Sequence, residues 1–287
     1  MNFLHPIVST AIVPLVLCFV LAGLIRFAGG ERLGRRFAGA AIGTAATAAV
    51  VLGLGTPPWP PATGVQKVPY VLAIATVTGI ALDARRTGGF TWPAVIASSA
   101  AILWIAWPQL AQGRAAALVV PIVLALAMIP ISARLAILRE EGAMPLVMIV
   151  AAGLGLAGVV AVADRSLAIA QIGAALAAAA GAYALWNWPR PRLPLGAAGV
   201  VACAAAVASI AALVLLTTKV SPWAIVPIAA IFFADLATWR LTPPPGRARQ
   251  LLAPVLLGVA AATLAGAAII LATASGHPDR IRTTVDR

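Results

Sequence analysis

One carboxylate lies well inside an apolar run of this chain, AIFFADLATWR. Asp235 comes four residues before Trp239 and five before Arg240, about one helical turn from the end of the run. Ionisable groups at membrane depth are costly and are often functional. Asp235 therefore predicts either a carboxylate paired with an arginine at the end of the run, or a site for a proton or a cation. Asp83 and Asp164 lie at the ends of apolar runs beside arginines, which favours structural pairing.

Uncharged polar side chains are the other candidates for binding a solute. Ser98 and Ser99 fall near the middle of one apolar run, and Gln171 and Tyr183 lie within another. Hydroxyl and amide groups in such runs commonly bond to the preceding turn or bridge two helices. These four residues predict ordinary helix contacts or the polar lining of a small substrate site, and its depth favours the serine pair for the second role.

Prolines also interrupt the apolar runs, at Pro14, Pro121, Pro227 and Pro254. A proline inside a helix removes one hydrogen bond and frees a carbonyl group. Backbone exposed at membrane depth must find a partner or line a cavity. We expect kinks at these four positions, with a hinge or a substrate-facing break as the alternative.

The segment GTPPWPPATGVQK, from Gly55 to Lys67, is the most distinctive connection. Four prolines flank Trp59, and they favour a stiff, extended backbone with few internal hydrogen bonds. The segment predicts a rigid connector in which Trp59 anchors at the membrane surface. The alternative is a lid over a cavity, or a docking site for a partner.

Residue patterns for catalysis or metal binding are missing from the sequence. The two histidines, His5 and His277, are far apart and have no neighbouring cluster of Cys, Asp or Glu with metal-ligand spacing. Cys18 and Cys203 lie within apolar runs and predict small core side chains. We therefore expect no enzymatic activity, no metal and no cofactor.

The composition identifies the solvent that surrounds these residues. Hydrophobic residues make up 62% of the chain and charged residues only 10%, and the mean hydropathy is +1.02. Soluble domains carry about 25% charged residues. The chain therefore predicts an all-α polytopic protein in a lipid bilayer, because long apolar runs without strict alternation favour membrane-spanning helices over a barrel.

Ten spans are predicted from the apolar runs, in one membrane domain without a soluble domain. They are roughly Pro6–Ile25, Phe37–Leu54, Val68–Leu82, Trp92–Trp107, Ala115–Ser132, Pro145–Val162, Leu167–Leu185, Leu195–Leu216, Trp223–Trp239 and Leu251–Ala274.

The positive charges alternate between the two sides of these spans. Of the twenty Lys and Arg residues, thirteen fall in loops after odd-numbered spans and four in loops after even-numbered spans. Positive residues are retained on the cytoplasmic side of a membrane. The pattern predicts that odd-numbered loops are cytoplasmic and that both termini lie on the opposite side. It also argues against nucleic acid as a partner, since the arginines form no single patch.

Two segments, GRAAALVVP from Gly113 to Pro121 and GRARQLLAP from Gly246 to Pro254, indicate an internal repeat. One precedes the fifth span and the other the tenth, so residues 1–140 and 141–287 are predicted to be two five-helix units. An odd number of spans in each unit turns the second copy over in the membrane. The result is an inverted-topology repeat, an arrangement common in secondary transporters.

In span number and symmetry this arrangement resembles ten-helix carriers such as the drug/metabolite transporter superfamily. The expected function is transport of a small, largely apolar or zwitterionic solute, because buried charge is scarce. The alternative is a non-transporting subunit or assembly factor of a larger membrane complex, with a membrane-protein partner or a second copy of the chain. The Ala- and Arg-rich, Lys-poor composition favours a bacterial inner membrane.

Overall fold

The computed structural model describes residues 8–85, 89–112, 118–163, 166–218, 220–238 and 247–275, and every regular element among them is helical. The helices are α1 (Val13–Ala28, preceded by a π-helical turn at Val8–Ile12), α2 (Gly30–Phe37), α3 (Ala40–Leu54), α4 (Gly64–Arg85), α5 (Thr91–Leu110), α6 (Val119–Leu138), α7 (Met144–Val162), α8 (Leu167–Asn187), α9 (Gly196–Thr217), α10 (Ile225–Ile231, preceded by a 3₁₀ turn at Pro222–Ala224), α11 (Ala234–Thr238) and α12 (Arg247–Ser275).

The protein is an all-α, multi-pass membrane protein, as its composition predicts. Eight helices in the described residues are long and apolar enough to cross a bilayer, and the bent pair α2 and α3, which meet at 57°, can supply a ninth. The predicted ninth span is divided between two short helices, α10 and α11. Every predicted span overlaps a helix of the described residues, and the number of ten remains a prediction.

Helix α9 forms the centre of the protein. It packs against α3, α4, α5 and α6, and every residue from Ala197 to Val214 is buried. Its membrane-spanning window is 89% buried, whereas those of α1 and α12 are each 28% buried. A helix that is apolar on all sides belongs in the middle of a membrane protein, and its alanines allow the neighbouring helices to approach closely.

Small residues bring α7 and α8 into close contact. A methyl group on Gly153 would lie 2.8 Å from the carbonyl oxygen of Gly173, and one on Gly173 would lie 2.7 Å from that of Gly153. The two backbones therefore touch where their glycines meet, which is the packing expected for small-residue stretches of membrane helices.

The carboxylate of Asp83 joins the end of α4 to the start of α9. It accepts hydrogen bonds from the backbone N–H groups of Ala197 and Ala198, both at 2.9 Å. These donors have no partner within their own helix, and a carboxylate also complements the positive end of the helix dipole. The arginine that contacts this end of α4 is Arg36, which donates to the carbonyl oxygens of Asp83 and Ala84. Asp83 thus has a structural role as a cap of α9, and among the described residues its carboxylate forms no ion pair with an arginine of the kind that the sequence favours.

Helix α6 is longer than the predicted fifth span. The sequence predicts an end at Ser132, but the helix continues to Leu138 and includes Arg134. A charged residue is tolerated at this depth because Arg134 has a carboxylate partner, described below.

Candidate functional site: an ion pair beside a divided span

The charged centre of the candidate site is an ion pair between Arg134 on α6 and Asp235 on α11. The Nε atom of Arg134 donates to Oδ1 of Asp235 at 3.3 Å, and its Nη2 atom donates to Oδ2. The two side chains are only 18% and 11% exposed. This bidentate geometry is typical of strong arginine–carboxylate pairs. Asp235 therefore has an arginine partner, as expected if it is a paired carboxylate rather than a free site for a proton or a cation.

The ion pair lies where the predicted ninth span is divided. Helix α10 ends at Ile231, the backbone turns at Phe232 and Phe233, and α11 begins at Ala234, one residue before Asp235. Phe232 and Phe233 donate their N–H groups to Ala229 and Ala230, which closes tighter turns than an α-helix has. A divided helix next to an ion pair is the type of element on which transporters build binding sites.

Two buried hydroxyl groups near this end of the bundle have no hydrogen-bond partner among the described residues. They are Oγ of Ser98 on α5 and Oγ of Ser132 on α6, and both side chains are fully buried. Helices α5 and α6 pack against each other. Ser98 lies seven residues after the start of α5, and Ser132 six residues before the end of α6. The two helices are consecutive spans, so these hydroxyls lie at similar depth, about 10 Å from the helix ends on one side.

The other predicted polar residues do not join this group. Ser99 is half-buried on α5, and Gln171 is half-buried near the start of α8. Tyr183 lies twelve residues further along α8, about 18 Å away. It is fully buried, and its hydroxyl donates to the carbonyl oxygen of Pro194 at 2.9 Å. Tyr183 thus holds the connection to α9, and the structure does not bring it together with Gln171.

The four predicted kink positions differ in their local structure. Pro14 directly follows the π-helical turn Val8–Ile12 and so lies inside one continuous helical span, whereas Pro121 lies in the first turn of α6, where helical N–H groups have no partner in any case. Pro227 lies in the short α10, and Pro254 lies inside α12. A further division of a helix lies at Phe232 and Phe233, which no proline marks.

The connection between α3 and α4 exposes its tryptophan. Trp59 is 76% exposed and meets the ring of Tyr70 edge-on, with centroids 5.5 Å apart. The Tyr70 hydroxyl donates to the carbonyl oxygen of Pro57 at 3.0 Å. The segment is thereby fixed to α4, and the Trp59 ring remains available at the surface.

Clefts in the described part of the structure include the following three. One lies between α4 and α5, a second lies beside Glu140 and Arg249, and a third lies beside Arg26 and Trp186. Asp235, Ser98, Ser99, Gln171 and Tyr183 line none of these three clefts. Within the described ranges, no group of three or more His, Cys, Asp or Glu side chains is placed to hold a metal ion.

Sequence reasoning missed three residues that the structure makes prominent: Arg134, Ser132 and Lys67. The first two were assigned to a loop or a span end, and the apolar run Leu135–Leu138 beyond Arg134 was the signal that the helix continues. Lys67 was counted as a loop charge, yet it is buried in the first turn of α4. No local signal in the sequence distinguishes it from an exposed lysine.

Several sequence landmarks lie outside the described residues. They are His5, His277, Asp164, Trp239, Arg240 and the first residues of the two repeat segments, Gly113 and Gly246. No known protein family matches the chain, and no curated protein is similar to it in sequence.

Proposed function

We propose that this protein is a small secondary-transporter-like carrier that moves a small, largely apolar or zwitterionic solute. The observation that carries the proposal is the ion pair between Arg134 and Asp235, which joins two different spans beside the turn at Phe232 and Phe233. Intramembrane ion pairs are rare and commonly belong to the path of a substrate or an ion.

The chemistry of the pair favours a zwitterion as the solute. A zwitterion carries one positive and one negative group, so it can replace each partner of the pair without leaving a charge unmatched. A substrate with a large net charge would leave one buried charge uncompensated, which is strongly unfavourable. The unpartnered hydroxyls of Ser98 and Ser132 supply additional hydrogen-bonding groups at a similar depth.

The proposed architecture is a ten-span, five-plus-five inverted repeat with both termini on the non-cytoplasmic side of a bacterial inner membrane. Two contacts support it, because α3 packs against α8 and α4 against α9, and each pair joins a predicted span to its repeat mate. The packing of α5 on α6 also recurs as α10 on α12. Helix α9 contacts α5 and α6 more extensively than α4 contacts α10 or α12, so the two halves would differ in conformation, as alternating access requires.

Solute flux into proteoliposomes tests the carrier. The probes are radiolabelled neutral amino acids and glycine betaine, supplied to the purified full-length protein. We expect uptake above that of empty vesicles, and a loss of about tenfold or more in Asp235→Asn and Arg134→Gln. Glu140→Gln is the control, because Glu140 is 59% exposed in a 3.6 Å pair with Arg139 and should not affect flux. The absence of uptake of every probe by folded wild-type protein would contradict the carrier.

The alternative function is a non-transporting subunit or assembly factor of a larger membrane complex. It is favoured by the solid, alanine-rich packing around α9 and by the exposed apolar surfaces of α1 and α12. In that case a photo-crosslinking residue at Trp59 should capture one partner in stoichiometric yield, and no probe should cross the vesicle membrane. Flux that requires Asp235 would exclude this alternative.

A further inference from the structure

A groove opens to the lipid between α4 and α5. The two helices are consecutive in the chain and both pack firmly on α9, but they make only slight contact with each other. The space between them has a volume of about 380 Å³, and its walls include Val71, Ala75 and Thr78 on one side and Ala97, Ala100 and Trp104 on the other. All the lining side chains except Thr78 and Trp104 are aliphatic, so the groove suits a hydrocarbon chain.

A buried lysine stands at one end of the groove. Lys67 is only 4% exposed, and its Nζ atom donates to the carbonyl oxygen of Trp104 at 2.7 Å. Nζ also lies 5.9 Å from the centroid of the Trp104 ring. Lys67, Val71, Ala75 and Thr78 follow one another along one face of α4 at helical spacing. The row that lines the groove therefore leads to the ammonium group.

The ammonium group of Lys67 lacks a counter-charge in the part of the chain that the structure describes. No ion pair joins it to a carboxylate of the described residues, and the neighbouring segments 55–63 and 111–118 contain no Asp or Glu. An ammonium has three donors, and a buried charge without an opposite charge is strongly unfavourable. The positive end of the α4 dipole adds to the attraction for an anion at this position.

The length of the groove matches one leaflet of a bilayer. From Lys67 to Thr78 the rise along α4 is about 16 Å, and half of the hydrocarbon core is about 15 Å thick. The charged end lies at the predicted membrane surface, beside Tyr70 and Trp104, whose ring centroids are 6.4 Å apart. Aromatic rings of this kind typically lie at the depth of the headgroups.

We propose that the groove binds one acyl chain of an anionic phospholipid, with the lipid phosphate beside Lys67. The phosphate supplies the missing negative charge, and the acyl chain covers the aliphatic walls of α4 and α5. This proposal is independent of whether the protein transports a solute.

Native mass spectrometry of the full-length protein can test this site. The protein is taken from vesicles that contain equal parts of phosphatidylglycerol and phosphatidylethanolamine, which differ in net charge. We expect wild-type protein to retain phosphatidylglycerol preferentially. Lys67→Gln should lower this preference about fivefold, since one basic residue near a membrane surface contributes about that factor. Ala100→Phe fills the groove and keeps Lys67, so it should lower the retention of both lipids.

Matched controls make the result decisive. Ala73→Phe adds the same ring to an exposed position of α4 outside the groove, and Arg35→Gln removes one exposed charge from α2; both should retain lipid like wild type. Added inorganic phosphate should not displace the lipid, because it lacks an acyl chain. An unchanged lipid preference in Lys67→Gln, equal losses in Ala73→Phe and Ala100→Phe, or displacement by phosphate alone would each overturn the proposal. If Lys67→Gln does not fold, Ala100→Phe and its control still decide the outcome.

Discussion

Arg134 and Asp235 are 101 residues apart in the chain, and their side chains form a two-pronged ion pair between α6 and α11. The pair connects the end of the first predicted five-helix unit to the divided span of the second. Its partners can separate only if another charge or a proton replaces the lost contact, because both are largely removed from water. The ion pair therefore either links α6 and α11 permanently or separates when a solute replaces its partners.

Single and double substitutions measure how much the ion pair between Arg134 and Asp235 contributes to the free energy of unfolding. Asp235→Ala and Arg134→Ala should each lower the free energy of unfolding by about 2–4 kcal/mol, because each leaves one charge without its partner. Replacing both residues together, with Arg134→Met and Asp235→Leu, should recover most of that loss. Thermal unfolding in detergent measures the effect. A loss in the double variant equal to the sum of the two single losses would show that the pair is not energetically coupled.

The two unpartnered serines lead to a different expectation. Ser98→Ala and Ser132→Ala remove buried hydroxyls that have no hydrogen bond, so the unfolding temperature should stay the same or rise. Ser209 is an equally buried control on α9, and its hydroxyl donates to the carbonyl oxygen of Ala205 at 2.7 Å. Ser209→Ala should lower stability by about 0.5–1 kcal/mol. A greater loss in Ser98→Ala than in Ser209→Ala would mean that Ser98 has a partner after all.

The glycine contact between α7 and α8 can be tested by adding one methyl group. Gly153→Ala and Gly173→Ala place that group within 2.7–2.8 Å of a backbone oxygen, so the helices must separate. We expect a loss of about 1–3 kcal/mol in unfolding free energy for each. Gly266→Ala on α12 is the control, since its methyl group meets nothing within 4 Å. It should stabilise the helix by up to about 1 kcal/mol, and an equal loss there would exclude close packing as the cause.

The sequence predicts the long helices well and the charged positions poorly, for one physical reason. Helices α7, α8 and α9 begin and end within two residues of the predicted spans, because continuous apolar runs and short loops are local signals. Whether a charge belongs inside a span depends on its partner. The partner of Arg134 is 101 residues away, and the buried position of Lys67 depends on the carbonyl group of Trp104.

The division of the ninth span illustrates the same limit. Pro227 predicts a kink in the first half of that span. The helix instead ends at Ile231, next to the fully buried Phe232. The turn is accompanied by packing against α12 and by the ion pair of Asp235, and both contacts involve residues distant in the chain. Of the candidate site, the sequence therefore predicts only Asp235. It identifies neither the arginine partner, Arg134, nor the turn at Phe232 and Phe233.

The orientation of the chain can be read from two cysteine substitutions on either side of α3. The native thiols of Cys18 and Cys203 are fully buried and free, so they should not react with a membrane-impermeant maleimide. Trp59→Cys should be labelled in intact cells, and Arg35→Cys only after permeabilisation, because arginine-rich loops are retained in the cytoplasm. The opposite labelling would reverse the predicted topology.

The same pair of variants tests whether α3 crosses the membrane at all. Helix α3 has 15 residues, about 22 Å of helix, which is less than the usual thickness of the hydrocarbon core, about 30 Å. Helix α2 and the residues at its bend supply the remaining length only if they enter the lipid. Labelling of Trp59→Cys and Arg35→Cys from the same side would show that this span does not cross the membrane. The first predicted unit would then have an even number of crossings, which would rule out the inverted repeat in its proposed form.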